Sequence, residues 1–324
     1  MKAIVYRKNG PPDVLSCEDL EKPIPNDGEV LIKVHAAAVN PLDYHLMKGG
    51  PAPLRLLFGP RKAKVPGVDV AGVVEAVGSG VKEFKPGDAV FGTGRGTFAE
   101  FAVAPESSLV RKPEGISFDE AATSPIAALT ALQGLRNKGR IQSGQTVLIN
   151  GASGGVGTFA VQLARNFGAH VTGVCSAKNA EMVRSLGAER VIDYACEDFT
   201  AGAARYDLIF DLAGNHSFSD CKRVLNPKGI HVGAGILAGQ KSLVLMFGGL
   251  LAVLVVSRFS RQKFTTYVAK ANREDLSFIG ELLASGRLKP VIDKKYTLDQ
   301  VPEAIRYQGT WHARGKLVVN MDAP

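Results

Sequence analysis

The chain has 324 residues, of which 45% are hydrophobic and 22% are charged, a balance typical of a globular protein with one large or two smaller domains. The net charge of +8 favours anionic ligands, but the basic residues are dispersed and form no nucleic-acid-binding motif. The four cysteines are far apart and predict neither a disulfide framework nor a zinc knuckle. The dispersed cysteines, together with the absence of an apolar signal core at the N-terminus, lead us to expect a cytoplasmic protein in a reducing compartment.

The first third of the chain predicts mainly β structure. Short strand-like patterns alternate with turn signals rich in glycine, proline, asparagine and aspartate. The predicted strands cover residues 2–6, 29–36, 70–77, 88–91 and 96–103. Over residues 116–135 the pattern becomes helical, which marks the approach to a differently organised region.

Residues 145–165 combine a strand, a glycine-rich turn and a helix. Residues 146–150 are an apolar, β-branched run typical of a buried strand, and residues 156–165 carry apolar side chains at helical spacing. The turn aligns with the dinucleotide fingerprint as Ala152-x-Gly154-x-x-Gly157, with alanine in the first place. Such a turn presents backbone N–H groups to a diphosphate; a turn that merely needs small residues is the alternative.

Strand and helix patterns continue to alternate to about residue 260, which predicts a parallel sheet covered on both faces. The further predicted strands are 170–175, 190–194, 206–212 and 229–234. The chain then returns to mixed structure, with helices predicted at 275–285 and 298–307 and strands at 289–291 and 316–319. We therefore expect an α/β fold in which a Rossmann domain (123–265) is combined with a β-rich domain (1–122 and 266–324).

The end of the second Rossmann strand indicates which dinucleotide binds. An NAD site places Asp or Glu roughly 20 residues after the glycines, to accept from the ribose hydroxyls. This chain has Cys175, Ser176, Ala177 and Lys178 there, so the carboxylate is missing. A hydroxyl and an ammonium suit a 2′-phosphate, which favours NADPH, although Lys178 could equally belong to a solvated loop.

Residues 243–256 are almost wholly apolar. This run of about 14 residues is shorter than the roughly 20 that a membrane-spanning helix requires. Its first interpretation is a helix buried at a homodimer interface and pocket wall. The second is peripheral contact with a membrane surface, where the basic residues Arg258, Arg261 and Lys263 would meet anionic lipid.

Five motifs together resemble the medium-chain dehydrogenase/reductase superfamily. They are V-L-I-x-V-x-A-A-x-V-N-P-x-D at 30–43, V-P-G-x-D-x-A-G-x-V at 65–74, F-K-P-G-D-x-V at 84–90, the G-A-S-G-G-V-G turn, and A-R-G-K-L-V-V at 313–319. The resemblance covers nearly the whole chain. It implies that the β-rich domain is a GroES-like, partly open barrel, and that the active-site cleft lies between it and the nucleotide domain.

The resemblance also bears on metal content. Zinc alcohol dehydrogenases of this superfamily carry a cysteine ligand where this chain has Asn40, and Gly-His-Glu where it has Gly67-Val68-Asp69. A catalytic zinc needs three N, S or O ligands and one open place, and the sequence shows no such set. Asp43, His45 and Asp69 are a remote alternative. The chain therefore resembles the zinc-free quinone oxidoreductase branch, including its chloroplast-envelope members.

The resemblance implies roles for individual residues around NADPH. Asn40 and Thr130 would lie at the nicotinamide, and Ser153, Gly154, Gly155 and Val156 at the diphosphate. The 2′-phosphate would be held by Ser176 and Lys178, and the adenine side by Tyr194. The remaining positions implied to contact the cofactor are Gly233, Gly235, Arg314, Gly315 and Lys316.

The activity that the resemblance implies is NADPH-dependent reduction of lipophilic quinones, or of carbon–carbon double bonds conjugated to a carbonyl. The hydride comes from the cofactor, and the developing oxyanion needs a hydrogen-bond donor. Tyr44 is the nearest candidate donor beside Asn40, although a tyrosine here could also be only a pocket wall. Two alternatives stay open: an acyl-chain or polyketide enoyl reductase, and an NADPH-binding redox sensor with little turnover.

Overall fold

The computed structural model describes residues 1–49, 64–234 and 261–322. The chain forms two compact units: Met1–Leu129 with Ala271–Pro324 (the first unit), and Thr130–Lys270 (the nucleotide unit). The boundaries predicted from the sequence, after residues 122 and 265, fall a few residues before these. The fold is α/β, with a Rossmann unit and a separate GroES-like unit.

The strands and helices of the described ranges are as follows. The strands are β1 Lys2–Val5, β2 Ser16–Asp19, β3 Glu29–Val39, β4 Asp69–Val77, β5 Ala89–Thr93, β6 Phe101–Pro105, β7 Leu109–Arg111, β8 Thr146–Asn150, β9 His170–Cys175, β10 Arg190–Asp193, β11 Tyr206–Asp211, β12 Leu225–Ala234, β13 Lys263–Tyr267, β14 Ile292–Tyr296 and β15 Lys316–Asn320. The α-helices are α1 Pro41–Lys48, α2 Phe118–Ala122, α3 Pro125–Leu132, α4 Gly155–Asn166, α5 Ala180–Ser185, α6 Phe218–Val224, α7 Arg273–Ala284 and α8 Val301–Gln308.

The nucleotide unit contains a six-stranded parallel sheet in the order β10-β9-β8-β11-β12-β13. Numbered from β8, this is the 3-2-1-4-5-6 order of a dinucleotide-binding sheet. The order reverses between β8 and β11, so a ligand crevice is expected at their carboxyl ends. The predictions for 146–150 and 170–175 are confirmed to the residue, because both are short β-branched runs that the sheet buries.

The first unit contains a seven-stranded sheet, in which six strands follow the order β14-β15-β3-β4-β5-β7 and β6 pairs with β3 off this path. The long strand β3 is at its centre, where Val30, Ile32 and Val34 are almost wholly buried. The C-terminal strand β15 pairs antiparallel with β3, with Leu317 opposite Val39. The end of the chain is thereby brought beside the residues that follow β3.

Several local predictions differ from the structure. The strand predicted at 289–291 is wrong, and β14 begins at Ile292 instead. The helical pattern at 116–135 is divided into α2 and α3 before Pro125, since proline is accepted only in the first turn of a helix. It continues beyond α3 as a π-helical turn, Gln133–Lys138.

Two of the predicted features fall outside the described ranges. These are Gly235 and the apolar segment 243–256, so the choice between a subunit interface and a membrane surface stays a prediction. Among the helices that are described, none has the length and apolar character needed to cross a bilayer.

Candidate functional site

The glycine-rich turn links β8 to α4. Its compact shape requires glycine at two positions, Gly151 and Gly157. Gly151 has a φ of +89°, a left-handed conformation that side chains rarely adopt. A Cβ on Gly157 would lie 2.1 Å from the Gly151 carbonyl oxygen, so α4 approaches the turn only if this position is glycine. The last glycine of the fingerprint therefore serves helix–strand packing.

Gly154 is different, because no atom of the described residues requires glycine there. Its φ is −81°, and the nearest atom to an added Cβ is the Gly151 carbonyl oxygen at 3.5 Å. Gly154 precedes α4, whose first residues are Gly155 and Val156, and no described side chain caps that helix. The turn thus combines open space with a 12-residue helix N-terminus, and this combination fits a diphosphate.

The loop after β9 is connected to this turn. The Asn179 side-chain amide donates to Ser153 Oγ at 3.1 Å, so the predicted 2′-phosphate loop and the predicted diphosphate turn are neighbours. Ser176 is half-buried and Lys178 is exposed, and both lie within three residues of Asn179. Asn179 itself is buried, and its Oδ1 has no hydrogen-bond partner among the described residues. Sequence reasoning missed Asn179, which no fingerprint marks.

Three further predicted contacts lie elsewhere in the nucleotide unit. Tyr194 directly follows β10 and is 57% exposed. Gly233 lies near the end of β12, opposite Asp211, and an added Cβ would make only an ordinary 3.4 Å contact with Thr266. The Thr130 carbonyl accepts a hydrogen bond from the Tyr267 hydroxyl. No contact with the described residues requires glycine at position 233. The space there is consistent with the close approach of a ligand.

Asp211 ends β11 at the switch point of the sheet and was not predicted as a site residue. Its Oδ1 accepts from Asn150 Nδ2 at 2.8 Å and from the N–H groups of Gly214 (2.9 Å) and Ala213 (3.1 Å). Its Oδ2 lies 3.4 Å from His231 Nε2. Burial raises the pKa of this carboxyl, but His231 and the N–H donors outweigh that effect and hold the pKa below its ordinary value.

In the first unit, Asn40, Asp69 and Lys316 form a buried ammonium network. Lys316 Nζ donates to Asn40 Oδ1 at 2.7 Å, to the Val39 carbonyl at 3.1 Å and to Asp69 Oδ2 at 3.3 Å. Asn40 Nδ2 also donates to Asp69 Oδ2, at 2.9 Å. All three side chains are at most 3% exposed. The structure therefore brings together two of the residues predicted to contact the cofactor, but it joins them to each other.

Asp69 also organises the start of α3. Its Oδ1 accepts from the Ile126 N–H at 2.9 Å, in the first turn of that helix, where a carboxylate is favoured by the helix dipole. Both oxygens of a completely buried carboxylate are thus satisfied. In zinc alcohol dehydrogenases, by the resemblance given above, ligands stand at the positions of Asn40 and Val68. Here an internal cation neutralises the carboxylate beside those positions.

Asp43 is the second buried carboxyl near this network. It lies in the first turn of α1, and its Oδ2 accepts from the Asn40 N–H at 2.8 Å. Burial raises the pKa of Asp43 to about 7, with Asp69 adding to the rise and the Asn40 N–H and Lys316 opposing it. Asp43 therefore titrates near neutral pH while its bond to the backbone fixes the turn after β3.

Three other predicted residues lie in the first unit: Tyr44, Arg314 and Gly315. Tyr44 is half-buried, with its ring 6.4 Å from that of Trp311, and its hydroxyl accepts from Lys48 Nζ at 3.4 Å. The exposed Arg314 donates its N–H to Asp293 at 2.9 Å. Gly315 has a φ of +93°, and an added Cβ would lie 2.3 Å from the Val291 carbonyl oxygen. Their contacts with a cofactor or substrate stay predictions.

Comparisons with known proteins agree with this architecture. Residues 26–114 match the family described as "Alcohol dehydrogenase GroES-like domain", and residues 186–319 match "Zinc-binding dehydrogenase". The chain is 37% identical to the chloroplast envelope quinone oxidoreductase homolog of Arabidopsis thaliana, over 92% of this chain and 91% of the relative. It is 34% identical to the 2-methylene-furan-3-one reductase of Solanum lycopersicum, over 99% of this chain and 79% of that protein.

A solved structure shows the same likeness in three dimensions. The quinone oxidoreductase from Coxiella burnetii superposes with a TM-score of 0.85 at 31% identity, covering 99% of each chain. The likeness thus extends over both units and includes the β3, glycine-turn and β15 regions described above. The chain belongs to the quinone oxidoreductase branch of the medium-chain dehydrogenase/reductase superfamily and is an oxidoreductase.

Proposed function

We propose that this protein uses NADPH to reduce quinones or α,β-unsaturated carbonyl compounds. The observation that carries the proposal is the joined pair of loops in the nucleotide unit. The Gly154 turn has space and N–H donors for a diphosphate, and the Asn179–Ser153 bond holds the loop of Ser176 and Lys178 beside it. No carboxylate stands at that loop to accept from a ribose hydroxyl, whereas the exposed ammonium of Lys178 suits a phosphate.

The substrate class is inferred from the chemistry that the relatives' names describe. The Arabidopsis relative is named as a quinone oxidoreductase, and the tomato relative reduces a furanone whose exocyclic double bond is conjugated to a carbonyl. Both reactions deliver a hydride to an electron-poor carbon and leave negative charge on an oxygen. One active site is therefore expected to reduce both quinones and conjugated enones if it orients the cofactor and stabilises the oxyanion.

The protein's part in this reaction is orientation, exclusion of water and hydrogen bonding. The bound cofactor supplies the hydride. Tyr44 stays our candidate donor to the developing oxyanion, because the residue is only half-buried and the hydrogen bond that its hydroxyl accepts from Lys48, within the described residues, is long. We assign Asn40 to shaping the turn after β3, since its side chain is occupied by Lys316 and Asp69.

We further propose that hydride transfer needs no zinc. The positions that carry zinc ligands in zinc alcohol dehydrogenases are occupied by Asn40 and Val68, and Lys316 already supplies a positive charge to the adjacent Asp69. A metal placed there would have to displace a buried ammonium with three acceptors. The hydrogen bonds of the ammonium network support a structural role for the positive charge of Lys316.

A screen of acceptors tests the proposal. NADPH oxidation is followed with simple quinones, enals, enones and enoyl thioesters, and the products are identified. We expect turnover with quinones or enones and loss of the conjugated double bond in the enone products. Turnover confined to enoyl thioesters would instead establish an acyl-chain enoyl reductase. Tight NADPH binding without turnover of any acceptor would favour the redox sensor.

A homodimer and a cytoplasmic location remain proposals that rest on the sequence alone. Light scattering measures the subunit number, and flotation with anionic liposomes measures membrane association of segment 243–256. A dimer that does not float agrees with the proposal, whereas a monomer whose flotation is abolished by salt contradicts it.

A further inference from the structure

One βαβ element of the nucleotide unit brings three metal-binding side chains together. Asp211 ends β11, Cys221 lies on the crossover helix α6, and His231 lies on β12. One ligand atom from each, a carboxylate oxygen, a thiol sulfur and an imidazole nitrogen, all lie within 4.8 Å of one another. We name these three residues the Asp211 cluster. All three are buried, with exposures of 5%, 0% and 3% in that order.

The topology explains why residues ten positions apart meet. In the β11–β12 ladder His231 is opposite Ile209, two residues before Asp211, so Asp211 and His231 project from the same face of the sheet. Helix α6 packs on β12, and Phe218, one turn before Cys221, contacts the ring of His231 edge-on at 5.7 Å. Cys221 is thereby directed toward the same place.

The imidazole of His231 is held in position but is unsatisfied. Its ring stacks on Phe264 at 5.5 Å and meets Phe218 edge-on, so the ring orientation is fixed by packing. Neither ring nitrogen makes a hydrogen bond within the described residues, although the residue is almost wholly buried, and Nε2 has only the 3.4 Å ion-pair contact with Asp211 Oδ2. A buried imidazole without hydrogen bonds is costly, and a ligand at one nitrogen would remove that cost.

The carboxylate is oriented as a metal ligand would be. Asp211 Oδ1 takes all three N–H donors, from Asn150, Ala213 and Gly214, and leaves Oδ2 directed at His231. Outer hydrogen bonds of this kind orient carboxylates at metal sites. The 3.4 Å between Asp211 Oδ2 and His231 Nε2 equals the edge expected, about 3.4 Å, for two ligands at roughly 2.1 Å from a tetrahedral zinc.

We propose that Asp211, Cys221 and His231 bind one zinc ion inside the nucleotide unit, separate from the hydride-transfer chemistry. Binding forms three coordinate bonds to the protein and one to a water molecule, and it releases the Cys221 thiol proton to solvent, with no change of oxidation state. The thiolate, the carboxylate and a neutral imidazole together carry two negative charges, which Zn²⁺ neutralises. A neutral buried complex avoids the cost of an unpaired charge.

Metal analysis of the full chain tests this proposal. Protein is produced with added zinc, freed of loose metal by a chelator and gel filtration, and its zinc content is measured. We expect about one zinc per chain in the unchanged protein and less than about a tenth of that in Cys221→Ser and in His231→Gln. The matched control is Cys175→Ser, which removes a buried thiol of the same unit outside the cluster and should keep the zinc.

Cobalt gives a second readout, independent of enzyme activity. Co²⁺ bound to a thiolate produces a sulfur-to-metal absorption band in the near ultraviolet, which should be present in the unchanged chain and in Cys175→Ser and absent in Cys221→Ser. Circular dichroism identifies variants that fail to fold, in which case Asp211→Asn replaces them. Absence of zinc and of the cobalt band from the unchanged protein would overturn the proposal. Equal zinc in the protein and in folded cluster variants would overturn it as well.

Discussion

Each unit buries a carboxylate, and the two carboxylates are neutralised in different ways. In the first unit, the Lys316 ammonium donates a hydrogen bond to Asp69, and every polar atom of that network described above has a partner. In the nucleotide unit, Asp211 faces His231 and Cys221, and the imidazole nitrogens make no hydrogen bond to any described residue, with Nε2 3.4 Å from Asp211 Oδ2. A buried acid with its own internal cation is complete, whereas Asp211, beside an imidazole and a thiol, has room for a metal.

The largest expected effect comes from removing the internal cation. Lys316→Met leaves the wholly buried Asp69 without its partner, so we expect a loss of about 3–5 kcal/mol in the free energy of unfolding. Urea unfolding measures it. The control is Lys22→Met, which breaks an exposed pair with Glu75 and should cost less than about 1 kcal/mol. Equal losses in both variants would show that the ammonium network is no more important than a surface pair.

The double variant Lys316→Met with Asp69→Asn sharpens this result. Removing both charges leaves no unpaired buried ion, so the double variant should be more stable than Lys316→Met alone. If adding Asp69→Asn lowered stability further, the two residues would not form one charge pair.

The second effect is a pH dependence caused by Asp43. Its pKa is raised in the folded protein from an ordinary value near 4 to about 7, so the folded state binds the proton more tightly than the unfolded state. The stabilisation from the protonated carboxyl is complete below about pH 4 and is lost as pH rises through about 7. Over that range, stability should fall by an amount on the order of 2–4 kcal/mol relative to Asp43→Asn. A difference between the two proteins that is constant from pH 4 to 7 would contradict this.

How far the sequence predicts these features depends on the distance between the partners along the chain. Strands β8 and β9 were predicted to the residue because their pattern is local and most of their residues are buried. Strand β2, whose residues are Ser16, Cys17, Glu18 and Asp19, was not, because its side chains are mostly exposed and show no alternation.

The ammonium network and the Asp211 cluster could not be predicted from the sequence, because their members are separated along the chain. Lys316 lies 276 residues from Asn40, and only the pairing of β15 with β3 brings them together. The resemblance assigned both to the cofactor, and the structure shows them bonded to each other. The wide cysteine spacing indicated no metal site, because it cannot show that Cys221 lies beside Asp211 and His231 on the folded crossover.

The third effect concerns Lys178, which is exposed, in contrast to the buried Lys316. Lys178→Ala should weaken NADPH binding by about 1–3 kcal/mol through loss of a contact to the 2′-phosphate, and should leave NADH binding nearly unchanged. Fluorescence titration with both cofactors measures this. Lys228→Ala is the control, since Lys228 is also exposed but lies in the early part of β12, away from the carboxyl ends of the strands. Equal losses for NADPH and NADH would remove Lys178 from the phosphate site.

The smallest effect separates the two kinds of glycine in the turn. The methyl group of Gly154→Ala comes no nearer than 3.5 Å to any described atom, so stability should change by less than about 0.5 kcal/mol, as for an ordinary surface substitution. The added methyl occupies the space assigned to the diphosphate and should weaken NADPH binding about tenfold, equivalent to 1.4 kcal/mol. Gly202→Ala, also in open space, is the control and should bind normally. Unchanged binding by Gly154→Ala would show that the diphosphate does not approach this residue.

The most direct test of the account is NADPH oxidation by metal-depleted full chain, with a benzoquinone and with an enone as acceptors. We predict saturable turnover that added zinc does not increase, with kcat/KM for NADPH at least about tenfold above that for NADH, as expected for one charged phosphate contact. Circular dichroism confirms that the depleted protein is folded. Folded protein that consumes no NADPH with either acceptor, or that does so only after zinc is restored, would contradict the account.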